Sequence, residues 1–457
     1  MKKSLWQPQK EKRARVVSTE APNVFALEQS ERSSLTADFS WTFVGNAIYA
    51  AGQFGTLMLL AKMVRPEQVG QYALGLALVY PVMMLSNMQL RSVMNSSAND
   101  RAQFGHYLSL RLLSTLAALA VILSITRIMQ YDRELTAVVL MVGVAYGIET
   151  ISDVYYARLQ LHDRMAEISK SLMLRAVLSV FALAAATYVT RSVVWGIAGV
   201  AAARAVVLFG YDTREQTHVL RKQTKWFLLK GELAPRFDAG EQRELLWRSL
   251  PLGIVVLLTT LNSSIPSFFI KHGIGERDLG IFSALGLTIS VGNMAVVSLG
   301  QSAFTRLSRA YASGNVAVFG SLLIVLLTCG AGIGVCGMLI SKFAGREILT
   351  LLFRPEYAER ADLLPWIMAA GAVLFMAQFL GFGLTAAGFY HSQVYLNILA
   401  DVSLVATCYW LVAGKGLLGA ILAMLIAACV QLVASAVVLA VAMRTKANMR
   451  AERCEAA

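Results

Sequence analysis

The sequence predicts an all-α polytopic membrane protein, with about twelve transmembrane helices in two six-helix lobes related by a pseudo-two-fold axis along the membrane normal. Three observations lead to this fold class. The 457 residues are 56% hydrophobic and only 15% charged, whereas a soluble domain has about 25% charged residues. Apolar stretches of membrane-spanning length recur along the chain, and a short motif appears in both halves. The composition excludes a soluble enzyme, a nucleic-acid-binding protein and a disordered scaffold.

The spans follow from the length of the apolar stretches, since a helix needs roughly 20 residues to cross the hydrocarbon layer. Helices satisfy their own backbone hydrogen bonds in lipid, and no alternating pattern suggests a barrel. The first six predicted spans are Phe43–Ala61, Tyr72–Leu90, Tyr107–Ile125, Leu135–Tyr155, Leu172–Thr190 and Val193–Phe209. The second six are Leu250–Ile270, Ile281–Leu299, Phe319–Ile340, Leu363–Leu384, Val394–Val412 and Leu417–Met443.

The basic residues orient these spans. The net charge is +13, and most of the 41 Lys and Arg residues fall in the termini and in loops on one side. Cytoplasmic loops retain Lys and Arg, so we place both termini in the cytoplasm and the chain in the inner membrane. The predicted organisation is a disordered tail over 1–38, an N-lobe over 39–211, a basic cytoplasmic linker over 212–248, a C-lobe over 249–443 and a tail over 444–457.

A repeated motif relates the two halves. One copy lies between the first two spans, as Glu67-Gln-Val-Gly70-Gln-Tyr72-Ala-Leu-Gly-Leu76. The other lies between spans seven and eight, as Glu276-Arg-Asp-Leu-Gly280-Ile-Phe282-Ser-Ala-Leu-Gly-Leu287. Each has a glycine, an aromatic residue two positions later, and Ala-Leu-Gly-Leu, with one residue of slippage between the parts. Two such halves in one orientation are typical of alternating-access transporters.

Several short motifs agree in order and spacing with a known family, and together they cover the chain from about Ser40 to Met443. They are Leu60-Ala-Lys-Met-Val-Arg-Pro-Glu-Gln-Val-Gly-Gln-Tyr72, Tyr156-Ala-Arg-Leu-Gln160, Leu250-Pro-Leu-Gly253, Gly280-Ile-Phe-Ser-Ala284 and Leu352-Phe-Arg-Pro-Glu-Tyr-Ala358. In these residues the chain resembles the polysaccharide transporter family, the Wzx-type lipid-linked oligosaccharide flippases of the multidrug/oligosaccharidyl-lipid/polysaccharide exporter superfamily.

This resemblance implies a substrate class but no site residues. The substrate would be an oligosaccharide on a polyprenyl pyrophosphate, moved from the cytoplasmic to the outer leaflet for O-antigen, capsule or exopolysaccharide synthesis. The expected partners are this lipid-linked oligosaccharide, membrane lipids and other polysaccharide-assembly proteins, and nucleic acid is not among them. We expect no enzymatic activity, no catalytic residues, no metal and no cofactor, because no catalytic constellation or phosphate-binding glycine-rich loop is present.

Four arginines within or beside the predicted spans are candidate substrate-binding residues, because charge inside the membrane is costly and marks function by default. They all fall in the cytoplasmic half of the N-lobe: Arg91, Arg111, Arg175 and Arg204. Guanidinium groups bind diphosphate through paired, charge-assisted hydrogen bonds. We expect the deeper Arg111 and Arg204 to line a cavity, whereas for Arg91 and Arg175 snorkelling to the interface is an equal alternative.

Two acidic pairs are candidate ion-coupling sites. Glu149 and Asp153 lie one turn apart on span four and share a face. They either bind a coupling ion or neutralise Arg158 and Arg175, and we favour the second interpretation. Asn397 and Asp401 form a similar pair on span eleven, where Asp401 needs a tertiary partner or an ion.

Pro266 in span seven is a candidate hinge, because a proline removes one helical hydrogen bond. A static kink is an equal alternative. Four amide residues in or beside spans either contact sugar hydroxyls or bond neighbouring helices, and the second is the stronger expectation for each: Gln53, Asn293, Gln301 and Gln378.

Two other functions compete with flipping. A drug or metabolite exporter of the same superfamily is disfavoured for cationic drugs by a basic cavity. A membrane-embedded glycan polymerase or ligase would need a substantial outer loop with catalytic residues, whereas the longest predicted loop is cytoplasmic.

Overall fold

The computed structural model describes residues 24–96, 104–162, 164–214 and 234–455. Residues 1–23 of the predicted tail, 215–233 of the predicted linker and 456–457 of the C-terminal tail therefore lie outside the described residues, whereas 24–38 form the beginning of the first helix. Within the described ranges the regular structure is helical and no strand occurs.

Among the described residues, eleven helical segments are long and apolar enough to cross a membrane, and the sixth reaches that length together with the short helix that follows it. We number them α1 Val24–Met63, α2 Pro66–Asn87, α3 Phe104–Ile128, α4 Arg133–Leu161, α5 Met165–Thr190, α6 Val193–Val207, α7 Ala239–Gly273, α8 Glu276–Ala312, α9 Val316–Leu352, α10 Leu364–Ala386 and α11 Tyr390–Glu455. Short helices at Leu90–Ser96, Leu208–Asp212, Pro355–Ala358 and Ala361–Leu363 continue or join them.

The last helix, α11, covers the predicted spans eleven and twelve. Its 66 residues are interrupted at Gly416, whose φ of 59° and ψ of −134° are not helical. Only glycine adopts such angles without strain, and Gly416 lies between the two predicted spans. The chain therefore has eleven long helices among its described residues, the eleventh with two limbs where the sequence predicts separate spans.

Short, sterically defined junctions join the helices. Pro66 occupies the first turn of α2, where its missing N–H is not needed. Asp132 caps α4 by accepting a hydrogen bond from the backbone of Leu135 at 3.4 Å. Arg191 ends α5 in the left-handed conformation, with φ 53°. These tight turns force consecutive helices to run antiparallel.

The helices pack in two groups. Helices α1 and α3–α6 pack chiefly within the first half of the chain, and α8–α11 chiefly within the second, whereas α2 and α7 pack extensively across the boundary. We call α1–α6 the N-lobe and α7–α11 the C-lobe. The lobes meet mainly where α2 packs against α7 and α8. Many large apolar side chains point outward from both groups, such as Phe181 and Phe343, which are 69% and 78% exposed. This distribution is that of a multi-pass membrane protein whose outer faces contact lipid.

The apolar core is continuous at one end of the molecule and divided at the other. On the side predicted to face outward, one cluster runs through both lobes and includes Leu74, Leu285 and Ala420. On the predicted cytoplasmic side, one cluster is built from the C-lobe around Phe375. A separate cluster joins the N-lobe to Leu245 at the start of α7. The lobes are thus held together most extensively at the outer end.

The two copies of the repeated motif meet at this outer end. A Cβ added to Gly70 would overlap the carbonyl oxygen of Glu276, and a Cβ added to Gly280 would overlap that of Pro66. Pro66 and Glu276 are the first residues of α2 and α8, so the contact is reciprocal. Gln71 also donates a hydrogen bond to Glu276 at 3.0 Å. The motif therefore forms a close helix crossing in which both glycines are required for space.

Candidate functional site

A cavity of about 1140 Å³ lies between the two lobes. It is lined by α1, α2, α4 and α5 of the N-lobe and by α7 and α8 of the C-lobe. The lining begins at Tyr72 and Ser283, just inside the crossing of Gly70 and Gly280, and reaches Arg91. Its lining residues Asn46 on α1 and Ser290 on α8 are exposed. Asn46 lies near the cytoplasmic end of the predicted span Phe43–Ala61, and Ser290 lies at the middle of the predicted span Ile281–Leu299. The cavity is therefore closed at the outer end and open from the middle of the predicted membrane inward.

The two walls of the cavity differ in chemistry. The N-lobe wall contributes five tyrosines and the charged lining residues, which are Tyr49, Tyr72, Tyr80, Tyr146, Tyr156, Arg91, Glu149, Asp153 and Arg175. The C-lobe wall contributes small hydroxyl residues, one amide and apolar side chains, among them Ser263, Ser264, Ser267, Ser283, Ser290 and Asn293. Charge recognition is therefore confined to one lobe.

Arg204 and Glu149 form a tight ion pair behind the tyrosines. Arg204 is 4% exposed, and its guanidinium lies 2.7 Å from the Glu149 carboxylate. It also donates to the carbonyl of Ala145 at 3.1 Å and stacks 5.0 Å from the centre of the Tyr146 ring. On the cavity side Glu149 accepts a hydrogen bond from Tyr49. Arg204 does not line the cavity, so the expectation that it would do so is not met.

Arg175 lines the cavity but is also paired. Its guanidinium donates to Asp212 at 3.1 Å, and Ser171 donates to the other oxygen of that carboxylate at 2.5 Å. Both charged side chains are 1% exposed. Sequence reasoning missed Asp212 because it placed this residue at the start of the linker. The only signal was its position just after an apolar run.

Arg91 and Arg111 share a single carboxylate, that of Asp153. The distances are 3.5 Å from Arg91 and 3.9 Å from Arg111. Arg91 lines the cavity, and its side chain is 31% exposed. Arg111 is completely buried and is not part of the lining, again contrary to expectation. Glu149 and Asp153 are therefore both paired with arginine. Glu149 pairs with Arg204, and Asp153 pairs with Arg91 and Arg111. The expected partners were Arg158 and Arg175.

The charge of this cluster is nearly balanced. Four arginines face three carboxylates, those of Glu149, Asp153 and Asp212. Two of the carboxylates each neutralise one buried arginine, as a buried charge requires. The remaining positive charge belongs to Arg91 and Arg111 together. Among the four candidate arginines, Arg91 and Arg111 are therefore the two that have one carboxylate between them.

The second acidic pair lies in the C-lobe, away from these cations. Asp401 is 8% exposed and accepts a hydrogen bond from Asn262 of α7 at 3.1 Å. In the described part of the chain no basic side chain pairs with it, and its second oxygen has no hydrogen-bond partner. The side-chain oxygen of Asn397 accepts a hydrogen bond from Gln431 at 3.2 Å, so Asn397 bonds to Gln431 and not to Asp401.

The remaining candidates occupy the lobe interface or its surroundings. Helix α7 continues without a break through Pro266. Gln53 lines the cavity and donates to the Tyr49 hydroxyl at 2.8 Å. Asn293 lines it as well, with a buried oxygen that lacks a partner among the described residues. Gln301 and Gln378 do not line the cavity.

Comparisons with known proteins agree with this architecture. A family model described as "Polysaccharide biosynthesis protein" matches residues 35–311. The chain is also 24% identical over 403 residues to the capsular polysaccharide biosynthesis protein CapF of Staphylococcus aureus, covering 87% of this chain and 98% of that protein.

Solved structures share the fold. One is the lipid II flippase MurJ in an inward closed conformation, with a TM-score of 0.66, 9% identity, and coverage of 89% of each chain. Another is a multidrug resistance MATE family transporter of the MOP superfamily in an inward-facing conformation. Its TM-score is 0.58 with 15% identity, and the match covers 90% of this chain and 95% of that one.

Proposed function

Because this chain belongs to the polysaccharide biosynthesis protein family, whose model matches more than half of its residues, we propose that it is a transporter of a lipid-linked oligosaccharide. It moves a glycan on a polyprenyl diphosphate from the cytoplasmic to the outer leaflet of the inner membrane, with both of its termini in the cytoplasm. The product supplies synthesis of a surface polysaccharide. The observation that supports this most directly is the cavity between the lobes, with its single incompletely neutralised arginine pair.

The size and polarity of the cavity suit an oligosaccharide. Its volume of about 1140 Å³ exceeds the roughly 300–1,000 Å³ of pockets for drug-sized ligands. Tyrosine rings provide flat apolar surfaces with a polar end, and serine hydroxyls both donate and accept hydrogen bonds. Sugars present alternating C–H faces and hydroxyl groups, so both walls offer complementary contacts.

The charge distribution suits a diphosphate at the inner end. Arg91 lies within the cavity lining and can donate two parallel hydrogen bonds to an oxyanion. Its position after α2 places it near the predicted cytoplasmic interface, where the head group of a lipid in the inner leaflet enters. Arg175 and Arg204 support the wall through their own carboxylates and remain secondary candidates for substrate contact.

Alternating access follows from the arrangement of the lobes. The outer end is closed by the continuous core and by the crossing of Gly70 with Gly280, while the inner half is open. Release on the outer side requires these contacts to separate and the inner ends to close. Such rocking of two lobes about a fixed central site is the general mechanism of this architecture.

An ion gradient or the membrane potential supplies the energy, and the potential contributes about 2.3 kcal/mol per charge per 100 mV. We assign the coupling site to Asp401 and Asn262 rather than to Glu149 and Asp153. Asp401 is a buried carboxyl without a cationic partner in the described part of the chain, and such a group takes up a proton or a cation. Glu149 and Asp153 already have arginine partners.

Export of a cationic drug or metabolite fits the site less well. Such a substrate needs a free carboxylate in the cavity wall, and both lining carboxylates are paired with arginine. The oligosaccharide is therefore the better supported substrate class.

The test replaces Arg91 by alanine and by lysine in a host that depends on this protein for its surface polysaccharide. We expect Arg91→Ala to reduce glycan display more than about tenfold, equivalent to 1.4 kcal/mol, and the lipid-linked precursor to accumulate inside. Arg91→Lys retains the charge and should keep partial display. Arg133→Ala, an exposed arginine at the start of α4, is the matched control. Unchanged display with Arg91→Ala at normal protein levels would refute the assignment of the diphosphate to this arginine.

A further inference from the structure

Asp153 is held differently from the other two carboxylates of the cluster. Glu149 lies 2.7 Å from Arg204 and accepts a hydrogen bond from Tyr49. Asp212 accepts hydrogen bonds from Arg175 at 3.1 Å and from Ser171 at 2.5 Å. Asp153 lies 3.5 and 3.9 Å from its two arginines and accepts no hydrogen bond from the described residues. Charge-assisted hydrogen bonds between arginine and an oxyanion are typically 2.7–2.9 Å long. Asp153 thus pairs with Arg91 and Arg111 through charge, without the geometry of a strong bond.

The two arginines are positioned by neutral acceptors instead. Arg91 donates through Nε to the side-chain oxygen of Gln160 at 2.8 Å. Arg111 donates to the side-chain oxygen of Asn87 at 2.9 Å and to the carbonyl of Ser86 at 3.3 Å. These bonds keep both guanidinium groups in place when the carboxylate moves. Arg91 and Arg111 therefore form a preorganised anion site. The Asp153 carboxylate that now occupies this site is held less firmly than the two guanidinium groups are.

Asp153 also separates the buried arginine from the cavity. The Asp153 side chain lines the cavity and is 24% exposed, whereas Arg111 contacts it from behind and is completely buried. Asn87, which accepts a hydrogen bond from Arg111, also lines the cavity, so Arg111 lies directly behind the wall that Asp153 and Asn87 form and would face the cavity if Asp153 were displaced. Two arginines then face the ligand in place of one.

We propose that Asp153 is an internal counter-anion that occupies the Arg91–Arg111 pair while the cavity is empty and is displaced by the diphosphate of the ligand. This inference rests on the proposed function, because it concerns the same anion site. The displaced carboxylate remains close to the bound diphosphate and repels it. Asp153 therefore weakens binding and favours release, so that the carrier is not trapped with its substrate.

The test measures binding to the purified full-length protein in detergent by calorimetry. The probes are inorganic pyrophosphate and farnesyl pyrophosphate, with farnesol as the uncharged control. We expect Asp153→Asn to lower the Kd for a diphosphate about tenfold and to reduce glycan display in cells at the same time. Asp153→Glu keeps the charge and should bind as the wild type does. Glu134→Gln removes one exposed carboxylate from the same helix and controls for net charge.

The outcomes separate this inference from the proposed function. Tighter binding of either probe supports the counter-anion, and the probe that shows it identifies a free or a lipid-linked diphosphate as the ligand. Unchanged or weaker binding by Asp153→Asn, at a wild-type melting temperature, overturns it. If that variant does not fold, Asp153→Ser provides the same comparison. Loss of binding in Arg91→Ala together with no gain in Asp153→Asn leaves the proposed function standing and rejects the counter-anion alone. Unchanged binding in Arg91→Ala rejects the diphosphate site itself.

Discussion

Arg175 on α5 and Asp212 after α6 form an ion pair in which both side chains are 1% exposed. The guanidinium also lies 5.4 Å from the centre of the Tyr156 ring. Ser171 donates its one hydroxyl hydrogen to Asp212 and therefore accepts a hydrogen bond from the Tyr156 hydroxyl. Arg175 therefore lies in the cavity wall and also links α5 to the short helix after α6 through its ion pair with Asp212. Buried charges of this kind are stable only as complete pairs.

Removing one member of this pair should destabilise the protein strongly. We expect Asp212→Asn to lower the free energy of unfolding by about 3–5 kcal/mol, because it leaves the Arg175 charge buried without its partner. The double variant Arg175→Met, Asp212→Leu should recover most of the loss. Thermal unfolding of the purified protein measures both effects. A double variant that is stable but displays no glycan would instead show that Arg175 contacts the substrate.

The close crossing at Gly70 and Gly280 predicts that a larger residue at either position hinders closure of the outer end. We expect Gly280→Ala to disfavour the outward-closed state by about 1–3 kcal/mol, since a Cβ there must push the carbonyl of Pro66 away. Glycan display should fall accordingly. A cysteine introduced in place of Ser283, just inside the crossing, reports opening to the outside, and its accessibility from the outer side should rise.

Gly320→Ala is the matched control for this experiment. A Cβ at Gly320 on α9 meets nothing within 4 Å, so both stability and display should remain at wild-type values. Equal behaviour of the two variants would show that the outer crossing is not a gate.

If the coupling proton or cation binds at Asp401, neutralising this carboxylate should uncouple transport from the ion gradient. In Asp401→Asn the amide oxygen still accepts from Asn262, so stability should change by no more than about 1 kcal/mol, the net value of one hydrogen bond. Transport in proteoliposomes should lose its response to an imposed proton or sodium gradient. Ser403→Ala on the same helix should keep that response, because the Ser403 hydroxyl donates to the backbone carbonyl of Ala400 one turn earlier and not to Asp401. A gradient response retained by Asp401→Asn would place the coupling site elsewhere.

The membrane-spanning helices could be predicted well because they depend on local composition. A run of apolar residues of sufficient length has few alternatives to a lipid-facing or buried helix. The predicted boundary between spans eleven and twelve lies after Val412 and before Leu417, and the backbone of α11 leaves the helical conformation at Gly416, within that interval. The repeated motif was visible, but its two parts could not be brought into one register. The reciprocal contact aligns Gly70 with Gly280 and Tyr72 with Phe282.

The partners of the charged residues could not be predicted in the same way. Spacing along α4 correctly placed Glu149 and Asp153 on one face, since this depends on helical geometry alone. Which arginine each carboxylate meets depends on how α2, α3 and α6 pack around α4. Arg111 and Arg204 lie as deep as the sequence indicates, but the tyrosines and Asp153 stand between them and the cavity.

The sequence alone therefore established the fold class and the family resemblance, because composition and helical periodicity are local properties; the half of the membrane in which the arginines lie stays a prediction from the distribution of Lys and Arg. The tertiary structure decided which of these charges remain for a ligand. Arg175 and Arg204 are each neutralised by a carboxylate from another helix, while Arg91 and Arg111 share the loosely held Asp153. This division arises from distances between helices that are remote in sequence, and those distances determine the strength of every ion pair.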